Sequence, residues 1–276
     1  MTDGRLRADL ARARTLTAAL LWRMRQERLR NALTVLLPFV LTASSVVALP
    51  LLGDDSAMNG AAGSAELGLQ YGATGDTVAA GMLLVLLPGV VALHCTVGAA
   101  LAVRNVVGTE AGVGALESML AAPYTPTSIA GGLLGLAMVV TTAQWAVMSA
   151  LAALAMAIAT WAHHDSLALG AGYPALALGL PLLSAWAAAA LALLCNLLMP
   201  KLSQPGQSGL AGNAGGLINI IAMLPGLGAM LALATGLGDL GPSRLLLVTG
   251  GATVAVIAGC LLGIARGFRP ESVLGS

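Results

Sequence analysis

Long stretches of this sequence are apolar and contain no charged side chain in their interiors. They cover residues 32–52, 77–103, 127–160, 173–199, 214–237 and 244–265. A helix of about 20 apolar residues crosses the ~30 Å hydrocarbon core of a bilayer, where backbone polar groups must be satisfied internally. Charged residues make up only 9% of the chain, against about a quarter in ordinary soluble domains. The sequence therefore predicts an all-α polytopic membrane protein with six transmembrane helices in residues 32–266.

The N-terminal segment, residues 1–31, is strongly basic and carries eight arginines. Apolar residues recur in it at spacings of three, four and seven, which predicts a helix with one apolar stripe: Leu6, Leu10, Ala13, Leu20, Leu21 and Met24. A basic helix of this kind lies in the headgroup layer, where its arginines meet anionic lipid. We predict an amphipathic interfacial helix here, and a solvated helix without membrane contact is the alternative.

The charges predict which side of the membrane each loop occupies. With the N-terminus in the cytoplasm, the inner segments hold the eight N-terminal arginines together with Arg104, Lys201, Arg266 and Arg269, and only Arg244 lies outside. The outer segments hold acidic residues: Asp54, Asp55, Glu66, Asp76, Asp165 and Asp239. Trp161 and Tyr173 are predicted at the outer interface. By the positive-inside rule, both termini and the tail 267–276 are predicted in the cytoplasm of a cell whose cytoplasmic membrane holds the protein.

The predicted spans give little evidence of a built-in energy source. His94 is the one histidine or charged residue in their interiors, and it is predicted as a packing residue. Lys201, the only lysine, is not part of a glycine-rich phosphate loop, so ATP hydrolysis would need a separate polypeptide. A self-sufficient ion-coupled transporter stays open as an alternative, because some carriers bind the ion through backbone carbonyls. An immunity or scaffold protein without transport activity is a further alternative.

No residue pattern indicates an enzyme or a metal site. The neighbouring histidines at 163 and 164, with Asp165, lack the i, i+4 helical spacing of strong metal motifs. We predict no catalytic residue and no bound metal. The cysteines have no C-x-x-C spacing and are predicted to be packing residues: Cys95, Cys195 and Cys260. A net charge of +1 gives no reason to expect nucleic acid as a partner.

A polar segment, residues 104–132, separates the second and third apolar stretches. Its centre reads Glu110-x-Gly112-x-Gly114-Ala-Leu116-Glu117-Ser-Met119-Leu120-Ala-Ala-Pro123-x-Thr125-Pro126-x-Ser-Ile129. This motif resembles the loop after the second span of the type-2 ABC exporter permeases. In that family an acidic residue, Gly-Thr-Leu-Glu, a leucine pair and an Ala-x-Pro turn lead into the third span. The six-span layout, the basic N-terminal helix and the short tail are also similar to that family.

The resemblance implies a cytoplasmic coupling helix between spans 2 and 3, which would contact a separate ABC ATPase subunit. The residues predicted to form this contact are Glu110, Gly112, Gly114, Leu116, Glu117, Met119, Leu120 and Pro123. The glycines permit close approach of the partner, the three larger apolar side chains would form a small apolar face, and the glutamates would pair with arginines of the ATPase. The chain departs from the family pattern because Ala130-Gly131-Gly132 stand where a lysine often follows.

The resemblance also implies the rest of the assembly. A second permease copy or a paralogue would complete a homodimer or heterodimer, and ATP with Mg²⁺ would bind the ATPase, so this chain would bind no cofactor. The spans hold only small polar groups, which favours an amphipathic or lipophilic cargo such as a drug, an antibiotic or a lipid-like molecule. Candidate residues of the substrate pathway are Ser44, Thr141, Gln144, Asn196 and Asn219.

Overall fold

The computed structural model describes residues 3–23, 36–46, 48, 62–112, 125–162, 167–198 and 214–267. Within these ranges the chain is helical and has no strand, which confirms the predicted all-α class. The helices are α1 (Asp3–Arg23), α2 (Leu36–Val46), α3 (Ala62–Gln70), α4 (Thr77–Gly112), α5 (Pro126–Ala162), α6 (Gly172–Leu198) and α7 (Ala214–Gly267).

Four of the described helices, α4 to α7, are long and apolar enough to cross a membrane. The third predicted stretch, 127–160, corresponds to α5, whose 37 residues extend about 55 Å and exceed the bilayer core. α2 is apolar but shorter, and the rest of the predicted first span 32–52 lies outside the described residues, except Ala48. The chain thus has the helices of a membrane protein.

α4 and α6 run in the same direction. Near their first turns, the Tyr173 hydroxyl donates a hydrogen bond to the Leu84 carbonyl at 2.9 Å. Toward their other ends, Val103 of α4 lies in one buried cluster with Leu193 and Leu197 of α6. We name the end of the bundle with the first turns of α4 and α6 the Tyr173 end. The opposite end, where α5 begins, is the Ile129 end.

Two tryptophans join α5 to α6. Trp186 Nε1 donates to the Thr142 hydroxyl at 3.1 Å, and Trp145 Nε1 donates to the Leu178 carbonyl at 2.9 Å. Since the residue number falls along α6 as it rises along α5, the two helices are antiparallel.

α7 is interrupted at Gly241, which has φ 71° and ψ 163°. Almost only glycine adopts this backbone region, and the following Pro242 restricts Gly241 to an extended ψ. Before the break, α7 is antiparallel to α4, because Met230 approaches Gly89 and Gly226 approaches Leu93.

Beyond Gly241, the direction of α7 is opposite. Leu246 lies against Gly179, and Gly263 lies against Leu194, so the second half of α7 runs parallel to α6. Because α4 and α6 are themselves parallel, the chain reverses direction at Gly241. This reversal lies at the Tyr173 end, where Pro242 approaches Gly172.

A tight α3–α4 hairpin closes the Tyr173 end. Gly72 has φ 73° and ends α3 in a Schellman motif, in which its N–H bonds the Leu69 carbonyl at 3.0 Å. Asp76 caps α4 by accepting hydrogen bonds from the N–H groups of Val78 and Ala79 at 3.1 and 3.0 Å. A methyl group at Gly81 would lie 1.8 Å from the Ser64 carbonyl oxygen, so only glycine allows this backbone approach.

Gly226 allows α7 to approach α4 closely, and Gly228 provides a matched control on the same helix. In Gly226→Ala, the new methyl group would lie 2.5 Å from Thr96 Oγ1 and 3.1 Å from Leu93 Cα. We expect a loss of about 1–3 kcal/mol in the free energy of unfolding, as for overpacked cores. In Gly228→Ala the methyl group meets nothing within 4 Å, so stability should stay equal or rise. Thermal unfolding in detergent measures both, and equal midpoints would contradict this packing.

Candidate functional site

The predicted coupling residues lie at the Ile129 end or outside the described residues. Glu110 and Gly112 lie in the last turn of α4, whereas the stretch 114–123 is not described. α4 therefore extends beyond the predicted span boundary at residue 103. The reason is local: the sequence after Arg104 contains no proline that would stop the helix before Gly112.

The first turn of α5 is fixed by a cap and by α1. Thr125 precedes α5, its hydroxyl accepts from the Ser128 N–H at 3.2 Å, and Pro126 occupies the first helical position. The Thr125 hydroxyl also lies 3.2 Å from Asp9 Oδ1, to which it donates. The helix that follows the predicted coupling segment thus begins in contact with α1.

α1 packs against a glycine-rich face of α5, which contains Gly131, Gly132 and Gly135. The Thr17 hydroxyl donates to the Gly132 carbonyl at 3.0 Å, and a methyl group at Gly132 would lie 2.6 Å from Leu16 Cδ2. Leu16 and Leu20 are buried in this contact. Of the neighbouring glycines 131 and 132, it is Gly132 that this close packing requires. In the sequence, the motif Gly131-Gly132-x-x-Gly135 was the sign of a helix face that allows such close packing.

The apolar side of α1 differs from the predicted stripe. Leu10, predicted in the stripe, is 63% exposed, whereas Leu16, which the prediction omitted, is 6% exposed. The docking of α1 on α5 explains this, because the packed face is centred on Leu16 and Leu20. Leu10 and Trp22 remain on the open side of the helix together with Arg12 and Arg14.

The predicted pathway residues are distributed over four helices. Ser44, Thr141 and Asn196 each donate to the carbonyl of the fourth residue before them, at 2.6 Å for Thr141 and 2.7 Å for Asn196. Gln144 Oε1 and Asn219 Oδ1 are buried and have no hydrogen-bond partner among the described residues. Three of the five polar groups are therefore satisfied within their own helices, and two amide oxygens remain available.

His94 joins α2 to α4. Its Nδ1 lies 2.9 Å from the Val90 carbonyl and its Nε2 lies 3.2 Å from the Thr42 hydroxyl, while Phe39 packs edge-on against the ring at 5.6 Å. Both ring nitrogens thus have a partner, as expected of a packing histidine.

A cavity of about 430 Å³ lies between α4, α5 and α6 toward the Tyr173 end. Among the described residues of its wall there are three hydroxyl groups, on Ser149, Thr160 and Tyr173, and no charged side chain. The other lining residues are aliphatic: Leu87, Pro88, Val91, Ala152, Ala153, Met156, Ala157, Leu167, Leu169, Pro174, Ala177 and Leu178. The volume is in the range of about 300–1,000 Å³ that small-molecule sites occupy.

A proline and two aromatic donors shape this cavity. Pro88 has no N–H, so the Leu84 carbonyl four residues earlier lacks its helical partner, and the Tyr173 hydroxyl donates to it instead. Trp145 donates to the Leu178 carbonyl beside the turn that Pro181 interrupts. These bonds hold α6 against α4 and α5 on both sides of the cavity.

A second cavity, of about 470 Å³, has a different character. Glu66 and Asp239 line it with Ser64 and Thr235, between α3, α4 and the end of the first half of α7. Close by, Tyr71 packs against Tyr173 with ring centroids 5.6 Å apart, and burial raises the pKa of Tyr71 above its ordinary value.

In comparisons with known proteins, no family model, curated protein or solved structure matches the chain. In the described part of the chain, no group of three histidine, cysteine, aspartate or glutamate side chains is placed to hold a metal ion.

The glycine face on α5 yields a matched test of how α1 is held. Gly132→Ala would place a methyl group 2.6 Å from Leu16 Cδ2 and 3.1 Å from Leu16 Cβ, so a change of Leu16 rotamer would relieve the first contact but not the second. Gly131→Ala would meet only Ala13 Cβ, at an ordinary 3.5 Å. We expect Gly132→Ala to weaken the docking of α1 by about 1–3 kcal/mol. Amide hydrogen exchange in α1 measures this, and equal protection in the two variants would contradict the contact.

Proposed function

We propose that this chain is the membrane subunit of an ATP-driven type-2 ABC exporter, which moves an amphipathic or lipophilic cargo out across the cytoplasmic membrane. ATP hydrolysis belongs to a separate ABC ATPase subunit, since the chain has no phosphate-binding lysine motif. The chain itself is not an enzyme on this proposal. A second copy or a paralogue would complete the translocation pathway.

The observation that carries the proposal is the arrangement at the Ile129 end. The segment that resembles a coupling helix connects the last turn of α4 to the first turn of α5, where α1 is docked. Both helices are long and apolar, and both pack against α6. A force applied to Gly114–Pro123 by an ATPase would therefore act directly on two spans and, through them, on the bundle.

The reversal of α7 supports the count of six spans. An unbroken 54-residue helix would extend about 81 Å, far beyond the ~30 Å bilayer core. Dividing it at Gly241 gives two lengths that each suit one crossing, close to the predicted stretches 214–237 and 244–265. Together with the predicted span 32–52 and α4, α5 and α6, this makes six.

The distribution of charge supports the orientation. Arg104 and Arg266 lie toward the Ile129 end of α4 and α7, whereas Glu66, Asp76 and Asp239 lie at the Tyr173 end. On the proposal the Ile129 end faces the cytoplasm, where the basic N-terminal helix and the ATPase would be, and both termini are cytoplasmic.

Transport would follow if the ATPase pair contacts the coupling segment differently in its open state and in its ATP-bound, closed state. Closure of the ATPase dimer on ATP would shift the coupling segment, and the rigid contacts of α4 and α5 with α6 would carry that shift into the membrane. The buried, unpartnered oxygens of Gln144 and Asn219 are the polar groups best placed to contact a polar part of the cargo.

Charge reversal at Glu117 tests the proposal. Glu117→Lys would place a cation against the arginines expected on the ATPase, and like charges at an interface cost several kcal/mol. We expect ATPase co-purification and ATP-dependent efflux to fall at least about tenfold, which corresponds to 1.4 kcal/mol or more. Glu66→Lys, at the Tyr173 end, is the matched control and should leave ATPase binding unchanged.

Two results would count against the proposal. One is that no ATPase subunit co-purifies with the wild-type chain from its native membrane. The other is that Glu117→Lys binds the ATPase and supports efflux as well as Glu66→Lys does.

A further inference from the structure

The Ser149 hydroxyl is unusual among the buried hydroxyls of this bundle. Serine and threonine in a helix commonly donate to the carbonyl three or four residues earlier. Thr96, Thr141 and Ser184 do so at 2.6–2.8 Å. Ser149 is 8% exposed, and its Oγ has no hydrogen-bond partner among the described residues. It lines the cavity between α4, α5 and α6, where its donor is available to whatever the cavity holds.

The chemistry of the cavity wall restricts the occupant. Thr160 and Tyr173, the other hydroxyls in the wall, already donate to backbone carbonyls. Burying an ion here would be costly, since none of the described residues in the cavity wall is charged and able to pair with it. An occupant that matches this surface is uncharged, mostly aliphatic, and carries one hydrogen-bond acceptor opposite Ser149.

The rim of the cavity shows where the occupant would come from. Ala153, Ala157 and Leu178 line the cavity and are also exposed on the surface of the chain. The neighbouring positions on α5, Leu154 and Ile158, are apolar and more than half exposed. The opening is therefore continuous with an apolar surface, so a molecule could enter sideways from a bilayer without crossing water.

We propose that the α4–α5–α6 cavity is a binding site for an uncharged aliphatic ester, whose carbonyl accepts a hydrogen bond from Ser149. The ester would be supplied either by an acyl chain of a bilayer lipid, with the charged headgroup outside the cavity, or by a free lipophilic molecule dissolved in the bilayer. The binding site stands on the cavity and on Ser149 alone. Only its use as a cargo site rests on the proposed function.

The test uses the full chain in phosphatidylcholine nanodiscs without ATP. Three diazirine-bearing probes are photo-crosslinked and mapped by mass spectrometry: a phosphatidylcholine labelled on its acyl chain, a hexadecyl ester, and a hexadecane that has no acceptor. We expect adducts of the phosphatidylcholine, the hexadecyl ester or both on the α5 segment 149–160 and the α6 segment 172–178. Labelling by the phosphatidylcholine alone assigns the site to bilayer lipid, labelling by the hexadecyl ester alone assigns it to a free lipophile, and labelling by both shows that the site takes an ester from either source. Labelling by neither would overturn the proposal.

Two pairs of variants make the test specific. Ala153→Phe fills the cavity from its exposed rim and should remove most labelling, whereas Ala150→Phe, an exposed α5 position outside the cavity wall, should not. Ser149→Ala should lower labelling by the ester probes about fivefold, as for the loss of one net hydrogen bond, and leave the hexadecane unchanged. Ser184→Ala, whose hydroxyl donates within α6, is its control.

Equal labelling in Ala153→Phe and Ala150→Phe, or adducts spread evenly along the exposed face of α5, would overturn the proposal. So would an effect of Ser149→Ala on the hexadecane equal to its effect on the esters. Because the assay contains no ATPase, its failure would leave the exporter proposal intact. Conversely, failure of the ATPase to bind would leave the labelling result standing.

Discussion

The structure depends on how the backbone polar groups of apolar helices find partners inside the protein. Water is absent from the hydrocarbon core, so a carbonyl that loses its helical N–H needs another donor. Pro88, Pro181 and Pro225 each remove one N–H from the interior of a long helix of this chain. At Pro88 the replacement comes from a different helix, through the Tyr173 hydroxyl. The hydrogen bond that α4 lacks at Pro88 is thereby replaced by one that joins α4 to α6.

The same principle explains the architecture around α6. Tyr173 ties its first turn to α4, and Trp145 and Trp186 tie its middle to α5. These three bonds set the spacing of the helices, and the small side chains between them leave the cavity open. At the other end, glycines rather than hydrogen-bonding aromatics bring α1 against α5.

The sequence predicted the fold class because apolar length and the scarcity of charge alone decide it. It also placed a break near residue 241, since Gly-Pro after a long apolar helix stops regular helix. It did not predict that α4 continues to Gly112, because the charged and glycine-containing sequence after Arg104 was interpreted as a loop, although it contains no proline that would stop the helix. It did not predict which face of α1 packs against the bundle, since that face is determined by glycines on α5, which is distant in sequence. It did not predict that Tyr173 is buried and bonded to Leu84, because that carbonyl loses its helical partner to Pro88, which lies elsewhere in the chain.

A double-mutant cycle on Tyr173 and Pro88 tests this account most directly. Tyr173→Phe removes the donor, and Pro88→Ala restores the backbone N–H that the Leu84 carbonyl lacks. In the wild-type background, we expect Tyr173→Phe to lower the free energy of unfolding in detergent by about 1–2 kcal/mol, toward the upper end for interhelical hydrogen bonds. In the Pro88→Ala background the same change should cost less than about half as much. Equal costs in the two backgrounds would contradict the claim that the tyrosine replaces the bond that the proline removes.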